Sequence, residues 1–513
     1  MPAPIDTPDW VRDAVFYQVF PDRFARSGRT PAPGPLEPWA APPTIHGFKG
    51  GDLQGVADRL PYLADLGITA LYLNPVFQSA SNHRYHTYDY RTVDPLLGGN
   101  AALTELLDAA HARGMRVVLD GVFNHTGRGF WAFHHILENG LGSPYLDWFH
   151  VDHDRLARGP SLEPYPTSGP GTGGGAELDA GPYGRMGFAG WWGRPELPKL
   201  NTANPEVREH LLATAEHWLR VGIDGWRLDV PEEIDDPAFW QEFRQRCRAI
   251  RSDAYLVGEI WHEAHDWLRG DRFDAVMNYP LAQAILGYAA GWRLDRGLLD
   301  FNEGYSELWP LDGPGFARAL GELMDRYDPA VTAVQLNLID SHDTPRFRTL
   351  AGGNIDALRL AVLVQATLPG APCIYYGDEI AMEGLRDPDC RRSFPTDEAA
   401  GDQTQRELVR IALRHRREHP ALRRGGLQIR GATGGLIGYL RTPVEGASAP
   451  ALVAINAGDD GARLRLEGTG LDGGTLRSLE LPGWPDPTVE AGPDGSIEVG
   501  LAGRTGAILV PRA

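Results

Sequence analysis

The chain has 513 residues, more than one compact core of ordinary size accommodates, so two or three domains are expected. Hydrophobic residues at 42% and charged residues at 23% suit a soluble globular protein, and 68 acidic against 49 basic residues leave a net charge of -19. That balance disfavours nucleic acid and anionic membranes as partners, which call for clustered Lys and Arg, and three cysteines without a CxxC pair support neither a disulfide framework nor a thiolate zinc site. The N-terminal stretch lacks a basic start followed by an apolar core, and no apolar run reaches membrane-spanning length. A cytoplasmic, soluble protein is expected.

Apolar, β-branched runs recur along the chain. They are AVFYQVF (14–20), ITALYLN (68–74), MRVVLDGVFN (115–124), IDGWRLDV (223–230), AYLVGEIW (254–261), RFDAVMNYP (272–280), AVQLNLIDSHD (333–343) and APCIYYGDEI (371–380). Helical segments lie between them. AALTELLDAAHARG sets Leu103, Leu106, Leu107 and Ala110 on one face, and NPEVREHLLATAEHWLRVG opens with an Asn204 cap followed by Pro205. Strands that are apolar throughout and alternate with helices predict a parallel sheet covered on both faces. Eight of them favour a closed (β/α)8 TIM barrel; a doubly wound open sheet is the alternative, without a Gly-rich fingerprint after its first strand. The expected layout is a barrel from residues 1–125 and 198–419, with 126–197 as an irregular insertion after strand 3. That insertion carries the run TSGPGTGGGAELDAGPYG. Short alternating strands and Gly-rich turns over 420–513 predict a C-terminal antiparallel β-sandwich.

Active sites of such barrels lie at the C-terminal ends of the strands. Asp120 ends the third predicted strand, Asp229 the fourth, Glu259 the fifth and Asp343 the seventh. Scattered surface carboxylates explain any one of these easily and all four poorly. Along a strand, Arg227 and Asp229 point to the same side, which places a guanidinium beside a carboxylate on an otherwise apolar element. Converging carboxylates suit metal-assisted hydrolysis or glycoside hydrolysis. The flat faces of Trp191, Trp192, Trp261, Tyr85 and Phe188 suit stacking on sugar rings, and His125 and His342 suit hydrogen bonds to hydroxyls, so sugar chemistry is favoured. As nucleophile, Asp229 must stay ionised, and Arg227 is expected to lower its pKa. Glu259 must hold a proton, with its pKa raised toward roughly 6–7 by burial and nearby carboxylates. Asp343 would orient hydroxyls and raise the acid's pKa further.

Four ordered motifs, DGVFNH (120–125), GWRLDVPEE (225–233), GEIW (258–261) and IDSHD (339–343), each sit at a predicted strand end. Together they resemble the α-amylase superfamily, glycoside hydrolase family 13, over nearly the whole chain. LPKLN (197–201), GEIWHEA and GGDLQGV are similar to the neopullulanase, cyclomaltodextrinase and maltogenic amylase group. The resemblance implies a retaining mechanism, with Asp229 as nucleophile, Glu259 as general acid/base and Asp343 as transition-state stabiliser. Retention implies Asp229 and Glu259 carboxyls about 5–5.5 Å apart. By motif position Asp120, His125, Arg227 and His342 would hold the sugar at the cleavage point, and Tyr85, within NHRYHTYDY, would stack beneath it. Glu232, Glu233 and Trp261 match the leaving-group side. Ordinary packing would also account for Tyr85, Trp261, Trp191 and Trp192, and a solvated acidic turn for Glu232 and Glu233. Arg346, and Arg391 or Arg392, are candidates to orient carboxylates or loops.

Three departures accompany the resemblance. Group members usually carry an N-terminal β-domain through which they dimerise, whereas VRDAVFYQVFPDRF opens the barrel almost at once, so monomer and homodimer both stay open. After PDRF the chain reads ARSGRTPAPG in place of a loop rich in Asn and Asp. Gly51 and Asp52 remain there, too few hard oxygens to define a calcium site, and Asn124 is a single ligand for the family's other calcium position, so no metal ligand is assigned, no cofactor is required and a structural calcium stays open. VPEE replaces the group's usual VANE, and His86 stands where relatives often have Asp. The leading expectation is a hydrolase of α-1,4-glucosidic bonds, with α-1,6 links tolerated, in short, cyclic or branched maltooligosaccharides. A transglycosylase, a non-catalytic glucan-binding protein and a metal-dependent hydrolase are the alternatives.

Overall fold

The computed structural model describes residues 5–32, 34–166, 183–444, 449–471, 475–492 and 495–512. The glycine-rich run of the insertion therefore lies, except for Tyr183 and Gly184, outside the described residues.

Eight parallel strands form one sheet: β1 Phe16–Val19, β2 Ala70–Leu73, β3 Arg116–Gly121, β4 Gly225–Leu228, β5 Tyr255–Gly258, β6 Ala275–Val276, β7 Leu336–Asn337 and β8 Ala371–Tyr375. Their order is β6-β5-β4-β3-β2-β1-β8-β7, so each strand lies beside its neighbours in sequence. A parallel bridge from Met277 to Leu336, just past β6, joins the two edges. The expected (β/α)8 barrel is the fold. These strands read as apolar runs because every residue of β1, β2, β4, β5 and β8 is buried, between the barrel interior and the helices outside.

Local chemistry sets the helices as their sequences predict. Helix Gly99–His111 buries Leu103, Leu106, Leu107 and Ala110. Helix Pro205–Val221 starts where Asn204 accepts the Glu206 N–H and Pro205 takes the first turn. It ends at Gly222, whose φ of 129° few side chains tolerate. Gly225 opens β4 for a different reason: a Cβ there would lie 2.2 Å from the Tyr255 carbonyl oxygen. Only glycine lets β4 and β5 approach this closely, and those strands carry the central charged groups.

Between β3 and β4 the chain leaves the barrel and returns through bridges that include His125 to Lys199 and Phe149 to Leu200. From Leu427 onward the strands are antiparallel, in a five-stranded and a three-stranded sheet. Leu440, Leu452, Leu464, Leu466, Val499 and Leu509 share a small separate core. Among the described residues no helix is long and apolar enough to cross a membrane.

Candidate active site

Strand register builds the centre. Asp120 on β3 pairs directly with Arg227 on β4. The chain leaves β4 through Asp229, whose N–H donates to the Gly121 carbonyl at 3.1 Å, and leaves β5 through Glu259, whose N–H donates to the Leu228 carbonyl at 2.9 Å. Arg227, fully buried, then meets all three acids. Its Nη1 donates to Asp120 Oδ1 at 2.8 Å, Asp120 Oδ2 at 3.0 Å and Asp229 Oδ1 at 2.8 Å. Its Nη2 lies 2.9 Å from Glu259 Oε1. One guanidinium thus bridges the two carboxyls singled out as nucleophile and acid. Val230, held in the left-handed region at φ 35°, turns its N–H onto Glu259 Oε2 at 3.1 Å. A β-branched residue in that region marks a strained turn, here one that orients the acid.

A second layer fixes the first. Tyr72 and Tyr85 each donate to Asp120 Oδ2 at 2.9 Å. The Tyr85 hydroxyl also accepts from Asn74 Nδ2 at 3.1 Å and lies 2.6 Å from His342 Nε2. The Tyr85 and His342 rings are parallel, 5.5 Å apart. His342 Nε2 is also 3.0 Å from Asp343 Oδ2, and Arg391 Nη2 donates to Asp343 Oδ1 at 3.1 Å. Behind the imidazole, Gln18 Nε2 donates to His342 Nδ1 at 2.9 Å and to Asn74 Oδ1 at 3.1 Å. An amide nitrogen can only donate, so Nδ1 is the acceptor and the imidazole proton sits on Nε2, facing Tyr85 and Asp343.

The rim is aromatic and acidic. Trp261 Nε1 donates to Glu259 Oε1 at 3.3 Å, and its ring stacks on Tyr279 at 3.7 Å. Glu232 pairs with His262 Nε2 at 3.1 Å, and Glu233 accepts from Lys199 Nζ at 3.0 Å, a lysine brought by the returning insertion. His125 is buried with Nε2 unpartnered and stacks on Trp191 at 5.1 Å; Trp191 stacks on Trp192 at 4.6 Å. Trp192, at φ 51°, leaves 67% of its surface in water.

Burial governs the protonation of the centre. It pushes the Glu259 carboxyl up to about 7; Arg227 opposes this and Asp343 adds to it. Burial also raises the Asp229 carboxyl above its ordinary value, against the pull of Arg227 and with the help of Glu259's charge. Arg227 lowers the Asp229 pKa as expected, but burial outweighs the guanidinium, which already serves three acids. His125 is pushed down to about 3 and His342 well below its ordinary value, both by burial, so both are neutral.

The structure brings Asp229, Glu259, Asp343, Asp120, Arg227, His342 and Tyr85 into one hydrogen-bonded cluster, with Trp261 and His125 beside it. One expectation, sugar stacking by Phe188, is corrected, while Arg346 orients a loop and a carboxylate outside the cluster. Arg346 is fully buried, bonded to the Cys390 carbonyl and Asp378 and covered by Tyr375 and Tyr376. It anchors loops behind β8 and has no partner in the acidic cluster. Phe188 is fully buried against Phe133 and cannot stack on a sugar. Of the arginine pair, Arg391 reaches Asp343, whereas Arg392 pairs with Asp389. Sequence reasoning missed Gln18, whose signal was a single amide inside an apolar strand, and Tyr279, the floor beneath Trp261.

The loop after PDRF does not fit calcium. Both Asp22 oxygens accept backbone N–H groups, from Gly50 and Lys49, and Asp52 accepts from Gly55 and Ser27. The buried ammonium of Lys49 donates to the Pro38 and Ala41 carbonyls at 2.7 Å and lies 3.3 Å from Glu37. A cation is already built into the chain there. Asn124 Oδ1 is buried without a partner, a single oxygen. Among the described residues no group of three His, Cys, Asp or Glu side chains is placed to hold an ion.

A barrel whose strand ends deliver two carboxyls to one arginine beneath an aromatic rim has the architecture of a glycosidase. Comparison with known proteins gives the family. The profile of the alpha amylase catalytic domain matches residues 18–421, and the chain belongs to the alpha-amylase family of glycosidases. It is 44% identical to a cyclomaltodextrinase of Geobacillus thermopakistaniensis over 420 residues, 82% of this chain and 64% of that protein, so it spans under two thirds of that relative's length. The structure of Ttha1563 from Thermus thermophilus is similar at a TM-score of 0.87 and 47% identity, over 98% of this chain and 100% of that one. A debranching enzyme from Nostoc punctiforme is similar at a TM-score of 0.85 and 44% identity, over 99% of both.

Proposed function

We propose that the protein is a retaining glycoside hydrolase that cleaves α-1,4-glucosidic bonds, and α-1,6 bonds as well, in short, cyclic or branched maltooligosaccharides. The observation that carries this reading is the bridging of Asp229 and Glu259 by one arginine, with Glu259 pushed up to about 7. A retaining pair needs one proton between its two carboxyls. Both are raised by burial, and Glu259's charge raises Asp229 further, so the pair favours holding a proton. Asp229 takes a well-aligned N–H from Arg227, while Glu259 meets the guanidinium without hydrogen-bond alignment, which favours the proton on Glu259.

In the first step an Asp229 oxygen attacks the anomeric carbon, the glycosidic C–O bond breaks, and the Glu259 proton passes to the leaving oxygen. Glu259, now a carboxylate, then takes a proton from water as the water oxygen attacks the same carbon, and Asp229 leaves. Asp343, with His342 Nε2–H beside it, binds the ring hydroxyls more tightly as the carbon flattens and charge develops. His125 Nε2 supplies a further hydroxyl contact, and Tyr85 offers its face beneath the ring. Trp261, Glu232 and Glu233 receive the leaving portion. The names of the similar proteins, a cyclomaltodextrinase and a debranching enzyme, support the cyclic and branched substrate classes. The chemistry needs no cofactor, and we place the protein in the cytoplasm as a monomer or homodimer.

The test is proton NMR of the first product released from maltotriose or a cyclomaltodextrin. Appearance of the α-anomer before mutarotation supports the reading. A β-anomer, or hydrolysis that survives in both Asp229→Asn and Glu259→Gln, would overturn it.

A further inference from the structure

Behind the acidic cluster lies a second group of buried acids. Asp340 follows β7 and Asp378 follows β8, and both are all but without water, as is Arg346 beside them. The four oxygens of the two carboxyls can be placed one by one. Asp340 Oδ2 accepts the Phe347 N–H at 2.6 Å, and Asp378 Oδ1 accepts from Arg346 Nη1 at 3.3 Å. Asp340 Oδ1 and Asp378 Oδ2 have no donor among the described residues. The two side chains nevertheless lie within hydrogen-bond reach of each other. Ionised carboxylates offer only lone pairs, so the two remaining oxygens can bond only if one of them carries a proton.

The surroundings favour that proton. The charged and titratable groups that reach the pair are Arg346, Glu379, Tyr305 and Cys373. Glu379 adds negative charge and has its own donors: the Tyr17 and Tyr62 hydroxyls at 2.8 and 2.9 Å, and the Gly377 N–H at 2.8 Å. Burial pushes the Tyr305 hydroxyl and the Cys373 thiol up, so both are neutral. Burial also raises Asp340 and Asp378, and the charge of Asp340 raises Asp378 further. A proton on Asp378 Oδ2, donated to Asp340 Oδ1, satisfies every oxygen of the pair.

Short links tie these acids to the catalytic side. Arg346, bonded to Asp378, donates Nε to the Cys390 carbonyl at 3.1 Å. From the same turn Cys390 Sγ and Arg391 Nε donate to the His342 carbonyl, at 3.2 and 2.8 Å, and Arg391 Nη2 reaches Asp343 Oδ1. Asp340 stands two residues before His342 and accepts the first N–H of helix Phe347–Leu350. We infer that Asp378 and Asp340 share one buried proton and act as a positioning pair that sets the loop carrying His342 and Asp343. Without that proton, two like charges would face each other with no water to screen them, and the loops after β7 and β8 would part. The positioning role rests on the part given to Asp343 above; the shared proton does not.

Two measurements test it. Asp378→Asn keeps a donor for Asp340 and an acceptor for Arg346, and it cannot ionise. The unfolded wild-type chain releases the Asp378 proton above the ordinary carboxylate value while the fold retains it, so wild type loses stability as pH rises and the variant escapes that loss. In thermal melts the variant should therefore gain on wild type between about pH 5 and about pH 8. A variant that keeps a constant margin or falls behind as pH rises overturns the shared proton, because two ionised carboxylates paired with Arg346 behave that way. Asp340→Asn, whose amide can donate to Asp378, is the second variant, and failure of both to fold also overturns the inference. In the second measurement Asp378→Ala should lose about tenfold in kcat on maltotriose, with KM moved far less, and Asp378→Asn should stay near wild type. An unchanged kcat in Asp378→Ala, or a tenfold loss in Asp378→Asn, overturns the positioning role. A wild type that hydrolyses no glucan strikes the parent reading instead, and the melting curves then decide the shared proton alone.

Discussion

Replacing Gln18 with leucine tests the chain of bonds behind Asp343. The amide sits on β1, 324 positions from His342 in sequence, and its Nε2 is the donor that makes His342 Nδ1 an acceptor. Leucine has nearly the same bulk and no donor. The variant then buries an imidazole with one unpaired nitrogen, or the proton moves to Nδ1 and Asp343 and Tyr85 lose theirs. Leaving a buried acceptor unpaired costs about 1–3 kcal/mol. If that falls on the transition state, kcat on maltotriose should drop about 5- to 160-fold, with KM moving much less. Gln18→Glu separates tautomer from packing. Its carboxylate accepts from Nδ1 and favours an imidazolium, which keeps the Nε2 proton only while protonated, so activity should be retained at acid pH and lost as pH rises. Wild-type kcat/KM in Gln18→Leu, or identical pH profiles for Gln18→Glu and wild type, would refute the assignment.

The pH profile should follow Glu259. Its carboxyl must carry the proton, and since its pKa is raised to about 7, kcat/KM should fall tenfold per unit above that value. The stability sign runs the same way: a raised carboxyl stabilises fully below its unfolded value and loses that contribution as pH rises through about 7. Glu259→Gln should therefore be more stable than wild type at pH 8, by an amount on the order of 2–3 kcal/mol, and should match it in a melting experiment at pH 4. Lys49→Met should lower the melting temperature by leaving the Pro38 and Ala41 carbonyls and Glu37 without their cation, about 2–4 kcal/mol, while chelator leaves wild-type melting unchanged. Trp261→Ala should raise KM for maltotriose and shift its products, because it removes the indole that contacts both Glu259 and Tyr279; unchanged products would count against a leaving-group role.

The barrel and its acidic cluster were legible for one geometric reason. Strand periodicity is two, and register makes Asp120 and Arg227 neighbours, so acids at successive strand ends must converge. Elements whose role depends on a distant partner were not legible. Gln18 looks like a stray amide until β1 is seen beside the loop that carries His342. Arg346 follows the IDSHD motif by three residues, yet the chain turns it under Tyr375 and Tyr376, away from the cluster. Phe188 resembles a sugar-stacking residue in composition, but the bridge from Val151 folds it into the insertion's core. Protonation was half legible. Counting charges along the chain finds Arg227 next to Asp229 and predicts an acid held ionised. Counting them in space finds Asp120, Asp229 and Glu259 sharing one guanidinium, all nearly without water. Three carboxylates cannot all stay charged against a single cation in that setting, so the fold itself requires a stored proton, and a glycosidase needs one to protonate a leaving oxygen.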